Sequence, residues 1–155
     1  MQNRYYIAYG SNLNLAQMHH RCPAAKVVGT AIIPDYRLKF KGSKTGAYLT
    51  IEAAAGYSVP VAIWEVTATD ERVLDVYEGF PHFYYKKDMT LNIKMDSNNQ
   101  IVEQAAFAYI MHEERDLGIP NERYLQTCID GYHSFGFNTD FLLDAYEYTL
   151  KEMSK

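Results

Sequence analysis

Residues 4–18 read RYYIAYGSNLNLAQM. Arg4 to Tyr9 is a tyrosine-rich apolar run that reads as a strand, and Leu15, Met18 and Cys22 then recur at helical spacing. Between them the chain turns on Gly10, Ser11 and Asn12. A buried strand that feeds a helix through small and polar residues leaves N–H groups of the loop and first helical turn without partners, and their dipoles favour negative charge. Gly10 lets a ligand approach the main chain, while Ser11 and Asn12 either cap the helix or touch that ligand. The stretch is too poor in glycine for a phosphate-binding fingerprint.

Outward from this corner, Lys26 to Ile33 predicts a second strand stopped by Pro34 and Asp35, and YRLKFK (36–41) alternates as a third. GSKTG (42–46) reads as a turn into AYLTIEA (47–53), and Val59 to Val66, apolar on both faces, as a central strand. YYKKDMTLNIKM (84–95) and IVEQAAFAYIM (101–111) form a hairpin across DSNNQ. A helix is expected from Ala68 to Glu78, capped by Thr67 or Thr69, with Val73, Leu74 and Tyr77 inward and Gly79 as its left-handed stop. Two more amphipathic stripes follow, Tyr124, Leu125, Cys128, Ile129 and Tyr132, then Phe141, Leu142, Ala145 and Thr149. The pattern predicts one α+β domain over residues 1–155, a mostly antiparallel, curved sheet or small β-barrel with flanking helices.

Composition narrows the function. A net charge of −4 over 155 residues supplies no basic stripe, so nucleic acid is not an expected partner. No secretory leader or bilayer-length apolar run is seen, which predicts a soluble, cytoplasmic protein without a membrane partner. Cys22 and Cys128 lack metal or disulfide spacing and read as reduced, buried thiols. The five histidines are scattered, and no HExxH, CxxC or G-x-S-x-G motif occurs, so no metal site is expected. The 14 tyrosines suit either a wet pocket wall or an interface.

One carboxylate stands out. Glu78 closes a short helix, where the macrodipole disfavours its charge, and Tyr77, Phe80, Phe83, Tyr84 and Tyr85 surround it in sequence. If those rings desolvate it, its pKa rises toward neutrality, the profile of a general acid/base; otherwise it is an exposed helix-end residue.

YIAYGSNL (6–13) together with EGFPHFYYKK (78–87) resembles the gamma-glutamylcyclotransferase-like family, which also contains the AIG2-like proteins. IPNERYLQTCIDGYHSFGF (119–137) is similar to the C-terminal helical segment of its gamma-glutamylcyclotransferase branch. The resemblance implies that a substrate's own α-amine attacks its γ-glutamyl carbonyl, releasing 5-oxoproline and an amine or amino acid, without metal or cofactor. It implies Glu78 as the catalytic acid/base and Tyr6, Ile7, Ala8, Tyr9, Gly10, Ser11 and Asn12 as the substrate loop. Tyr85, whose place Tyr84 would take after a one-residue slip, and Tyr124 are the implied pocket tyrosines. Gamma-glutamyl amino acids or peptides are the favoured small-molecule substrates; a gamma-glutamylamine substrate and a non-catalytic binding module are the alternatives. Some members of the family dimerise, and the tyrosine surplus would suit a homodimer interface.

Overall fold

Five strands built from alternating β-branched and aromatic residues close into a barrel in the computed structural model, which describes residues 2–43 and 46–155. They are β1 (Arg4–Ala8), β2 (Lys26–Ser43), β3 (Gly46–Val66), β4 (Tyr84–Met95) and β5 (Ile101–Met111). The order β3-β1-β5-β4-β2 is closed by pairing of β2 with β3, and a short β6 (Asp116–Leu117) adds to β2 beyond the ring. All these pairs are antiparallel except β1 with β5, where Tyr6 lies opposite Phe107. Four helices flank the barrel: α1 (Leu15–Arg21), α2 (Ala68–Glu78), α3 (Glu122–Phe135) and α4 (Asp140–Met153). Every barrel strand gives fully buried apolar side chains to one core, among them Ile7, Phe40, Ile51, Ile63, Ile93 and Phe107.

The structure departs from the sequence expectation in β2 and β3. Neither is broken in two: β2 runs through Pro34 and Asp35, and β3 runs from Gly46 to Val66. The irregularity is absorbed as a register shift between Pro34 and Tyr36, with Asp35 at φ 59° and its carboxylate accepting from the Gly56 amide at 3.0 Å. A bulge of this kind bends a long ribbon without ending it, so one hairpin can serve both sides of the barrel closure. The expected turn over 42–46 falls partly on residues 44–45, outside the described ones.

Two features aim the elements around the site. Gly131 of α3 faces the chain at Leu13 and Asn14 so closely that a Cβ there would stand 2.7 Å from the Asn14 nitrogen. Asn14 also donates its side-chain N–H to the Thr127 carbonyl at 3.2 Å, locking α3 to the loop that follows β1. On the other side α2 begins with a reciprocal cap: Thr67 Oγ1 accepts from the Asp70 amide and Asp70 accepts from the Thr67 amide, both at 3.0 Å. It ends on Gly79 at φ 64°, where the Phe80 amide turns back to the Asp75 carbonyl at 2.9 Å. Leu74 is buried as expected, whereas Val73 and Tyr77 are substantially exposed, because α2 packs only a narrow stripe onto the barrel.

Candidate active site

The corner after β1 folds as a 3-10 turn over Ser11–Leu13 before α1 begins. Its bonds are Leu13 N–H to the Gly10 carbonyl and Asn14 N–H to the Ser11 carbonyl, each 3.0 Å. The Ser11 and Asn12 amides, in the first turn, have no backbone acceptor among the described residues. Neither Ser11 nor Asn12 caps α1. Asn14 does, accepting from the Gln17 amide at 3.0 Å, and this frees the Ser11 and Asn12 side chains for other contacts.

Those contacts face a cavity of about 440 Å³ beside the loop. Ser11 Oγ lies 2.9 Å from the Tyr77 hydroxyl, and Asn12 donates to the Tyr6 hydroxyl at 2.9 Å. Tyr84 donates to the Leu49 carbonyl at 2.8 Å, and the Leu49 amide donates to the Tyr124 hydroxyl at 3.0 Å. Tyr9 donates to the Tyr109 carbonyl at 2.6 Å, and Tyr109 donates to Asp75 of α2 at 2.6 Å. Burial holds the Tyr6, Tyr9, Tyr84 and Tyr124 hydroxyls well above the ordinary tyrosine value, so they remain neutral hydrogen-bonding groups.

Glu78 supplies the carboxylate among the cavity's lining side chains. It keeps part of its surface accessible while protein packs around the rest, and it makes no hydrogen bond to a described residue. Burial therefore pushes its pKa from 4.5 up to about 8, against the opposing pull of the Arg21 guanidinium. Arg21 itself is held in place. It stacks 3.6 Å from the Tyr77 ring centre, donates to Asn12 Oδ1 at 2.6 Å and to Gln17 Oε1 at 2.5 Å. One cation thus bridges the loop after β1 and the last turn of α2.

Of the residues singled out from the sequence, Tyr6, Tyr9, Gly10, Ser11, Asn12, Glu78 and Tyr124 all line this cavity. Ile7 and Ala8 do not. As strand residues paired to Ile63 and Ala62 they are sealed in the barrel core. Tyr85 is also elsewhere: its hydroxyl donates to Glu113 at 2.5 Å and its ring lies against His112, whereas Tyr84 lines the cavity. Pairing of Tyr84 with Met111 and Tyr85 with Ile110 sets this choice, since neighbouring strand residues face opposite sides. Sequence reasoning missed Tyr48, Tyr109 and Arg21. Tyr48 and Tyr109 read as ordinary alternating strand residues, and nothing near Arg21 in sequence distinguishes it from any basic residue in a last helical turn. Among the described residues no cluster of three or more His, Cys, Asp or Glu side chains could hold a metal ion, and no helix is long and apolar enough to cross a membrane.

A closed mixed barrel thus brings the β1 corner, the end of α2 and α3 together on one tyrosine-walled cavity that holds the Glu78 carboxyl. The chain belongs to the family described as gamma-glutamyl cyclotransferase, AIG2-like, which matches residues 6–126. It is 35% identical over 81 residues to gamma-glutamylcyclotransferases of Bos taurus and Homo sapiens. That alignment covers 48% of this chain and 43% of the length of each of those relatives. A solved structure described as gamma-glutamyl cyclotransferase superimposes with a TM-score of 0.77 at 23% identity, covering 97% of this chain and 86% of that one. The latter likeness carries the fold.

Proposed function

We propose that this protein is a gamma-glutamylcyclotransferase that closes γ-glutamyl amides of amino acids to 5-oxoproline. The reading rests on one observation: the Glu78 carboxyl, lifted to about 8, shares a cavity with a loop whose Ser11 and Asn12 amides have no backbone acceptor among the described residues. The nucleophile travels with the substrate. Its α-amine forms a bond to the γ-carbonyl carbon, and the bond from that carbon to the departing nitrogen breaks. Starting from an α-ammonium group, two protons leave the attacking nitrogen and two arrive on the departing one. Glu78, accepting and returning a proton twice, balances the reaction without an external nucleophile.

The remaining groups have positioning work. The Ser11 and Asn12 amides would hold negative charge, either the substrate's α-carboxylate or the oxyanion developing on the γ-carbonyl oxygen. The neutral hydroxyls of Tyr6, Tyr9 and Tyr84 can orient the glutamyl chain so that attack is intramolecular, a geometry that supplies effective molarities of ~10⁵ M or more. The test is incubation with γ-glutamyl amino acids, γ-glutamyl amines and glutathione, with mass-spectrometric detection of 5-oxoproline and the released amine. Wild type should form product and Glu78→Gln, folded, should not. Near-normal turnover by Glu78→Gln would overturn the assignment of Glu78, and a blank across the panel from folded wild type would overturn the reaction.

A further inference from the structure

The hydroxyl protons around the cavity are committed in different directions. Tyr9 gives its proton to the Tyr109 carbonyl at 2.6 Å, Tyr84 to the Leu49 carbonyl at 2.8 Å and Tyr109 to Asp75 at 2.6 Å. Each of these is spent on a fixed protein acceptor. Tyr124 accepts from the Leu49 amide and stands beside the Cys128 thiol, and Tyr77 shares its bond with Ser11. Tyr6 differs, and the difference originates in Arg21.

A guanidinium only donates, so the Asn12 atom 2.6 Å from Arg21 Nη1 has to be the carbonyl oxygen, Oδ1. This fixes the side-chain amide. Its other end, Nδ2, then faces the Tyr6 hydroxyl at 2.9 Å, and an amide nitrogen has no lone pair to offer. The Tyr6 oxygen therefore accepts, and its own proton is left for another partner; no described residue takes it. Tyr6 and Asn12 are both buried in the cavity wall that also holds Glu78. Arg21 is itself fixed by the Tyr77 ring at 3.6 Å and by Gln17 Oε1 at 2.5 Å, so donation runs one way, from Arg21 through Asn12 to Tyr6.

We propose that Arg21 and Asn12 are positioning residues whose hydrogen-bond chain makes Tyr6 the side-chain proton donor to the reacting carbonyl. This inference rests on the γ-glutamyl cyclotransferase reading above. It divides the buried tyrosines by role. Tyr9 and Tyr84, whose protons are committed, offer the cavity lone pairs and ring surface, whereas Tyr6 donates to the γ-carbonyl oxygen as that oxygen gains charge. Because the chain from Arg21 sets the direction of the donor beforehand, no reorganisation is needed at the moment of reaction. Neither Arg21 nor the Asn12 side chain has to touch the reacting atoms; both act through Tyr6.

The experiment reverses the chain. Asn12→Asp keeps the shape and the bond from Arg21, but a carboxylate has no N–H to give, so the Tyr6 hydroxyl turns and donates to it instead of to the cavity. On the γ-glutamyl amino acid that wild type turns over fastest, with each protein at its own pH of maximal kcat, Asn12→Asp should lose about hundredfold in kcat, the scale of one lost transition-state donor. Tyr6→Phe should lose as much, and the double variant no more than either alone, because both changes remove the same donor. Arg21→Met, which removes the orienting donor, should lose far less kcat in a Tyr6→Phe background than in wild type, and Arg21→Lys should recover part of its loss; this pair decides the matter even where Asn12→Asp does not fold. Near-normal kcat in folded Asn12→Asp, or losses that multiply in the double variants, would overturn the proposal while leaving the cyclotransferase reading intact. Absence of turnover by wild type would instead overturn that reading, and this one with it.

Discussion

Replacing Glu78 by Gln should make the protein more stable as the pH rises, even as it removes turnover. Burial lifts this carboxyl from 4.5 to about 8. A carboxyl whose folded pKa lies above its unfolded one binds more protons in the folded state, so its contribution is fully present below the unfolded value and is lost as pH rises through the folded value. The window runs from 4.5 to about 8. Within it each pH unit costs wild type up to ~1.4 kcal/mol, or roughly 5 kcal/mol across the whole window. Glu78 keeps part of its surface in contact with the cavity, and solvent there screens the charge, which lowers the expected effect to about 2–3 kcal/mol.

Gln preserves the shape and cannot ionise, so the difference in stability between Glu78→Gln and wild type isolates this one titration. Urea midpoints at pH 5, 7 and 9, with unchanged m-values, should show the variant gaining steadily on wild type. At pH 9 its melting temperature should lie about 5–10 °C above that of wild type. Groups that titrate alike in both proteins cancel in the difference. A difference that stays flat with pH would refute the reasoning, because it would mean that Glu78 is hydrated much as it is in the unfolded chain.

Three further outcomes follow from the same contacts. The acid limb of kcat/KM should lie near pH 8, the pKa of Glu78, and Arg21→Gln should move it to higher pH by removing the cation that favours the carboxylate; a pH–rate profile with an unmoved limb would exclude that role. Gly131→Ala would drive a Cβ to within 2.7 Å of the Asn14 nitrogen and 2.8 Å of Leu13 Cβ, so urea unfolding should show a loss of about 2–3 kcal/mol, the range expected for overpacking against unyielding backbone. Burial pushes the Cys22 and Cys128 thiols up to about 11 and about 12; iodoacetamide at pH 8 should leave the native intact mass unchanged and add two labels only in denaturant.

Much of the architecture is written in signals that act over a few residues. Thr67 with Asp70 and Gly79 delimit α2 within the local chain, DSNNQ turns β4 into β5, and alternation along 84–95 and 101–111 marks both strands. The corner at Gly10 and the helix-end Glu78 were legible for the same reason, since each follows from the conformation of its own segment. The double tyrosine at 84–85 was not. Alternation says that the two rings face opposite ways, but only the pairing of Tyr84 with Met111 says which one faces the cavity. Pro34 and Asp35 misled in a similar manner: a local breaker became a bulge once Asp35 found the Gly56 amide across the hairpin.

The sequence by itself thus determined the kinds of element, the limits of α2, a strand-to-helix corner of small and polar residues at Gly10–Asn12 and a carboxyl at a helix end. Tertiary structure decided that these two meet. Closure of β2 onto β3 and the parallel pairing of β1 with β5 bring the Gly10 corner to α2, and the Tyr9 hydroxyl bonds a carbonyl 100 residues away. That closure desolvates Glu78 and sets Arg21 between Tyr77 and Asn12. The physical reason is range: caps, turns and alternation are properties of neighbouring residues, whereas burial and charge pairing depend on what the folded chain brings from afar.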